Sequence, residues 1–258
     1  MTAASIQPPR DPKSQYLLRV GDTCLVLAQR LSEWCGHAPV LEEDIALANH
    51  ALDLLGQARG LLTRAGQLGP VTLDEDQLAF LREERDYLNV TLAELPRGDF
   101  AFTVVRNAML ATFLKLLWER LQDSSDAEVA AIAGKAIKEA RYHQQHAADW
   151  VVRLADGTDE SRQRTLAALD SLWRYVPELF DVDAVDAQAR ATGLGPSWDE
   201  LREPWLAEMR AILADAGLGE PGPSAFTSHG KRGVHTEHMG HMLAVMQSLQ
   251  RTYPGGAW

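Results

Sequence analysis

Lys138-Glu139-Ala140-Arg141-Tyr142-His143-Gln144-Gln145-His146 is the stretch on which the fold of this chain is decided. Glu139, His143 and His146 stand at steps of four and three, so one α-helix carries all three on a stripe beside apolar Ala140 and Ala147. Helix bundles that hold two iron or manganese ions use Glu-x-x-His on two helices, with a lone Glu from each of two others. Here the i+3 position is Tyr142, and the first histidine comes at i+4. The stretch reads as a metal-binding helix with its histidine displaced by one residue. Its plain alternative is a hydrogen-bonded polar edge on a bundle helix.

On both sides of this stretch helical periodicity continues and no convincing strand interrupts it. Tyr16, Val20, Cys24, Leu27, Leu31 and Trp34 mark a first helix that ends at Gly36 and Pro39. A second runs from about Leu41 to Gly66, with Ile45, Ala48, Leu52, Leu55 and Leu62 as its core face. Asp74-Glu75-Asp76-Gln77 caps a third, which continues through Leu78, Leu81, Leu88, Leu92 and Leu95 to the break at Pro96-Arg97-Gly98. The fourth, Phe100 to Leu121, is apolar on nearly every side and therefore predicted to be buried all round. Ser125-Asp126-Ala127-Glu128 opens the fifth, which contains the deciding stretch and runs to about Ala155. Helical segments at about Asp159 to Ala191, divided by Pro177, and at Trp198 to Ala216 follow. A Gly, Pro and Ser-rich loop from Gly217 to Gly233 leads to a last helix with Met239, Met242, Met246, Leu249 and Tyr253 on one face.

This pattern predicts an all-α antiparallel helix bundle with additional C-terminal helices. The expected organisation is a loose tail over 1–13 and one helical domain over 14–258. Its bundle core would span about 14–156 and its accessory helices about 158–258. A net charge of −11, with acids spread along the chain, argues against a nucleic-acid or anionic-membrane partner. Cys24 and Cys35 lie about 16 Å apart along one expected helix and so form no disulfide framework, which fits a reducing, cytoplasmic compartment.

The ligand set is incomplete wherever its counterparts are sought. Asp53-Leu54-Leu55-Gly56 places glycine where the second Glu-x-x-His would hold histidine. Small residues at Ala46, Gly56 and Gly60 fit close packing of the second helix. Val104 to Trp118 contains no carboxylate at all and carries Lys115 instead. A buried ammonium needs a carboxylate, and Asp53 or Glu139 are the expected partners. His235-Thr236-Glu237-His238 crowds two imidazoles and a carboxylate at the start of the last helix, a candidate interface or weak metal site. Gly230-Lys231-Arg232-Gly233 is a weak hint of contact with a phosphate or an acidic partner. Trp198, Trp205, Met209, Met239, Met242 and Trp258 are candidates for an interface core, or for packing the added helices.

Several stretches together resemble a known family. They are Cys24-Leu25-Val26-Leu27-Ala28-Gln29-Arg30-Leu31, Glu33-Trp34-Cys35-Gly36-His37-Ala38-Pro39, Asp53-Leu54-Leu55-Gly56-Gln57-Ala58-Arg59, Lys135 to His143, and His235-Thr236-Glu237-His238. The family is that of the PaaC subunits of bacterial phenylacetyl-coenzyme A epoxidase, a multicomponent monooxygenase of aerobic phenylacetate catabolism. The resemblance implies a ferritin-like fold and a structural subunit that is not itself catalytic. It also implies a homologous di-iron catalytic subunit (PaaA-like) as partner, with further subunits that include a reductase. No cofactor is expected in this chain, and Asp53, Glu139 and His143 are expected only as positions of a vestigial metal site. The alternative is an active di-iron or other metal-dependent oxidase with an irregular ligand set.

Overall fold

The computed structural model describes residues 4–69 and 71–256. They fold as an all-α chain, and among them the β-pairing is limited to one isolated bridge between His229 and Val234. In order the helices are α1 (Pro12–Ser32), α2 (Leu41–Leu68), α3 (Glu75–Phe80), α4 (Thr91–Glu94), α5 (Phe100–Leu121) and α6 (Ala127–Asp156). They continue as α7 (Asp159–Trp173), α8 (Val176–Leu179), α9 (Ala184–Ala191), α10 (Arg202–Asp215), α11 (Glu237–Met246) and α12 (Ser248–Thr252). Trp258 lies outside the described residues.

The contacts gather the chain into two compact units. One comprises Met1–Cys35, Leu47–Pro96 and Ser228–Trp258, and the other Gly36–Ala46 and Arg97–Thr227. α11 and α12 fall in the first unit with the start of the chain, whereas α7 to α10 fall in the second with α5 and α6.

In the first unit α1 begins at Pro12, preset for a helix N-terminus, with Asp11 accepting from the Ser14 amide. It is buried along nearly its whole length. Gly21 permits the close α1–α2 approach, since a Cβ there would meet Leu61 and Leu62 at 3.3 Å. Residues expected as a loose tail are anchored here. The Ile6 amide donates to the Leu81 carbonyl, and Pro8 and Pro9 are buried. Cys35 falls beyond the end of α1 and is exposed, while Cys24 is buried with its thiol on Gln57.

The third helix is shorter than its periodicity predicts. α3 stops at Phe80, and an irregular segment leads to the single turn of α4. The amides of Leu88 and Val90 bond side chains of α1, at Asp22 and Thr23, and so leave the helical hydrogen-bond pattern. α2 departs in another way. Its buried apolar side chains are Leu47, Ala51, Leu54, Ala58, Leu61, Leu62 and Ala65, whereas Ile45 and Leu52, expected in the core, are exposed.

In the second unit α5 packs against α6, α7 and α10. It is long and apolar enough by composition to cross a membrane, but 83% of that window is buried inside the fold. α6 starts at Asp126, whose carboxylate accepts from the Glu128 and Val129 amides. Its inner face is mostly small, with Ala133, Ala136, Ala140, Ala147 and Ala155 buried, and this lets α5 come close. The tryptophans of the last third fill this unit's core. Trp198 meets Phe113 edge-on, and Trp205 lies against Trp173 and Phe180 while donating to the Met109 carbonyl at 2.9 Å. Met209 is buried with them, and Met239 and Met242 are buried in the first unit. These five side chains are packing residues and not a free interface.

Candidate functional site

α6 carries the stripe of Glu139, His143 and His146, and its members have different surroundings. Glu139 meets Lys135 one turn back at 3.6 Å. His143 is buried on the inner side of the helix. His146 turns to Glu43 in the first turn of α2, with Nε2 to Oε2 2.9 Å, and both side chains are nearly buried. Tyr142, at the position where a metal-binding helix would place histidine, is 56% exposed. Asp53, the third vestigial position, is a half-buried residue of the other unit. Glu43 escapes detection in the sequence because it lies outside any Glu-x-x-His pattern.

Lys115 stands in the stretch of α5 that carries no carboxylate. Its ammonium reaches Glu208 of α10, and not Asp53 or Glu139 as expected. Gln144 donates to the same carboxylate and to the Thr112 hydroxyl, at 3.0 Å for the latter. No sequence signal ties α10 to this part of the bundle, so the partner is invisible before folding. Glu208 stays partly open to solvent and keeps Gln144 as a donor. Lys115→Met should therefore shift stability by less than about 1 kcal/mol. The check is a urea midpoint nearly unchanged at constant slope.

A two-metal centre needs several carboxylates and imidazoles converging on one volume. Among the described residues no group of three His, Cys, Asp or Glu side chains is placed to hold a metal ion. The carboxylates around α6 are each taken up singly, Glu208 by Lys115 and Gln144, Glu43 by His146 and Glu139 by Lys135, and this is not the converging set a di-iron site uses.

The histidine-rich start of α11 is a different structure from the one expected. The His235 side chain has no solvent exposure, nor has that of Glu94. Nδ1 of His235 lies 2.6 Å from Glu94 Oε2, and Nε2 lies 2.9 Å from the Tyr87 carbonyl. A carboxylate and a carbonyl both accept, an arrangement that favours the doubly protonated ring, with both nitrogens donating. Burial works against that charge. The Glu94 hydrogen bond and charge, the Tyr87 carbonyl and the charge of Glu84 outweigh it and hold the pKa above its ordinary value. With both nitrogens engaged, His235 has no lone pair for a metal. Glu237 is exposed, and the carbonyl of half-buried His238 accepts from Arg30 at 2.9 Å. Thr236 stands at the N-cap of α11, but its amide and hydroxyl both donate to Glu94.

Glu94 is thus the hub of a buried network, joined also by the Asn89 amide at 2.9 Å. A second hub lies beside it. Arg82 and Asp22, both without solvent exposure, form an ion pair, and Arg82 stacks 4.1 Å from the centre of the Tyr87 ring. Burial pushes the Tyr87 phenol up to about 12. Gln247 of the C-terminal segment donates to that phenol at 2.7 Å and to the Arg82 carbonyl at 3.1 Å. The loop ahead of α11 is pressed onto the same segment. A Cβ on Gly230 would fall 2.5 Å from the Asn89 carbonyl, and one on Gly233, at φ +75°, 2.3 Å from that of Arg85. These two glycines serve close backbone contact, and Lys231 between them is buried, so the loop is no phosphate cradle.

Comparison with known proteins bears on what such a chain is for. A family model for phenylacetic acid catabolic proteins, covering the PaaA and PaaC types, matches residues 1–258. The chain is 49% identical over 243 residues to the C-type subunit of 1,2-phenylacetyl-CoA epoxidase from Escherichia coli strain K12. That match covers 94% of this chain and 98% of the relative.

Proposed function

Because the chain belongs to the phenylacetic acid catabolic protein family and has its all-α, ferritin-like fold, we propose that it is the structural C-type subunit of a phenylacetyl-CoA epoxidase complex. In this reading it binds a homologous di-iron subunit and shapes the catalytic assembly. The reaction centre is that partner's, and electrons arrive from a reductase subunit. The observation that carries the reading is the fate of α6. Its metal-type stripe is occupied by the His146–Glu43 and Glu139–Lys135 pairs, and α5 contributes Lys115, bound to Glu208, in a stretch without carboxylates. The first pair ties α6 to α2 and the second lies along α6 itself, and this supports a structural part for the helix. The proposed assembly is cytoplasmic, and two cysteines that form no disulfide are consistent with that compartment.

Reconstitution tests this. The chain mixed with its di-iron homologue should elute from size exclusion as one stable complex, with iron in the homologue. Epoxidation of the phenylacetyl-CoA ring, with reductase present, should require both proteins. Equal turnover by the homologue alone would refute the structural role. Close to two irons on this chain alone would return it to the metal-dependent oxidases.

A further inference from the structure

The second unit holds a cavity beside its aromatic core. Its volume is about 390 Å³, within the range of roughly 300–1,000 Å³ in which small-molecule sites fall. Trp173 at the end of α7, Val176 and Pro177 of α8, and Phe180 just beyond α8 supply most of its apolar lining. These rings are fixed by the core itself, since Phe180 packs on Phe113 and Trp205, and Trp173 on Trp205. α10 adds one face, on which Arg202, Leu206 and Arg210 stand at steps of four and line the cavity together.

The segment after α10 completes the lining with Glu220, Pro221, Pro223 and Ser224. Three contacts pin this segment in place. Arg162 donates to the Gly217 carbonyl at 2.8 Å, and Glu220 pairs with Arg210 at 2.6 Å. Phe226 meets Tyr175 edge-on at 5.0 Å, with the Arg174 guanidinium 4.7 Å from the centre of the Phe226 ring. Between these pins the rings of Pro221 and Pro223 fix φ, so the segment resists collapse into the space beside it. The cavity is thus a built feature of one unit and not a loose surface dent.

We propose that this cavity is a binding site for an aromatic monocarboxylate, a single ring on a short chain that ends in a carboxylate. Charge chooses the head group. Arg210 is already neutralised by Glu220, whereas Arg202 forms no ion pair or hydrogen bond among the described residues. Arg202 is also the first residue of α10, an end of a helix where the backbone dipole disfavours a cation, so the helix itself gives no reason for it. One unspent guanidinium matches one carboxylate, whose two oxygens fit its planar fork, while a phosphate monoester would bring close to two charges. The lining chooses the body, because the rings of Trp173 and Phe180 offer edges and faces to another ring. No residue of this site enters the partnership proposed above, so the inference goes beyond that reading and does not depend on it.

The test is titration calorimetry of the purified full chain with 3-phenylpropionate. Its uncharged amide, 3-phenylpropionamide, and propionate, which lacks the ring, are the comparison ligands. Arg202→Gln removes the charge, and Ser224→Asp sets a carboxylate at the lining while keeping an acceptor for the Phe226 amide that Ser224 now serves at 3.1 Å. Arg120→Gln, on an exposed arginine of α5 outside the cavity, is the control. Arg202 and Ser224 are both exposed, so the variants should keep the parent's helical signal and melting temperature. The expected result is one saturable site for 3-phenylpropionate, with the amide and propionate each weaker by about tenfold or more. Both variants should weaken the acid by about tenfold and leave the amide unchanged, and the control should bind like the parent. Three results would each overturn the proposal: no saturable binding of the acid up to about 10 mM, equal affinity for acid and amide, or an Arg202→Gln affinity within about twofold of the parent. None of them touches the subunit reading, which is tested with the homologue present.

Discussion

Arg82→Met is expected to destabilise the chain by about 3–5 kcal/mol, since it leaves the Asp22 carboxylate buried without its counter-charge. For a chain of this length the melting temperature should fall on the order of 10 °C. Arg82→Met combined with Asp22→Asn should recover much of that loss. Asparagine carries no charge, yet keeps an acceptor for the Leu88 amide that Asp22 now serves at 2.8 Å. Equilibrium urea unfolding of the parent, both single variants and the double closes the cycle. Equal and additive losses would show that the ion pair is not the source of the effect.

Glu94→Ala should cost a similar amount, about 3–5 kcal/mol, because four donors from His235, Thr236 and Asn89 lose their acceptor together. The pH dependence separates this from simple cavity formation. In the parent the folded-state pKa of His235 is raised. Its contribution is then full below the ordinary imidazole pKa near 6.5, and is lost as pH rises through the raised value. Without Glu94, burial dominates and drives that pKa down. The unfolded chain then binds more protons below the ordinary pKa, so stability should rise with pH up to about 6.5 and stay flat above it. A fall in stability above about pH 6.5 in the parent, absent in Glu94→Ala, with His235→Gln flat by comparison, is the expected outcome. Parallel slopes would mean that Glu94 does not hold the imidazolium.

The two hubs also show where a sequence stops being legible. α1, α5 and α6 can be read because each depends on local information: a capping carboxylate, an apolar period, a glycine or proline at the end. The ring of His235 meets a carboxylate 141 residues away, and Arg82 finds its own 60 residues away. No spacing rule connects such partners. Glu94 in Thr91-Leu92-Ala93-Glu94-Leu95 looks like an ordinary solvent-facing acid. Periodicity overextends the third helix for the same reason, as a run of leucines cannot reveal amides bonded to Asp22 and Thr23. α2 is the instructive case. The stripe of Ile45, Ala48, Leu52 and Leu55 has a genuine helical period, but a helix with two apolar sides does not say which one its own chain will cover.

The return of Ser228–Trp258 to the unit that begins the chain has a consequence for biosynthesis. Glu94 and Arg82 leave the ribosome long before His235 and Gln247 exist, and residues 97–227 must be made between them. At about 5–20 residues per second that interval is on the order of ten seconds. Through it the nascent N-terminal third carries a carboxylate and a tyrosine hydroxyl without their final partners, and contacts of such long separation form slowly. The first unit is completed only after the second has been synthesised. Elongation rate and chaperone access, more than the intrinsic helix propensity of α1 and α2, then govern how much of this chain reaches its native state.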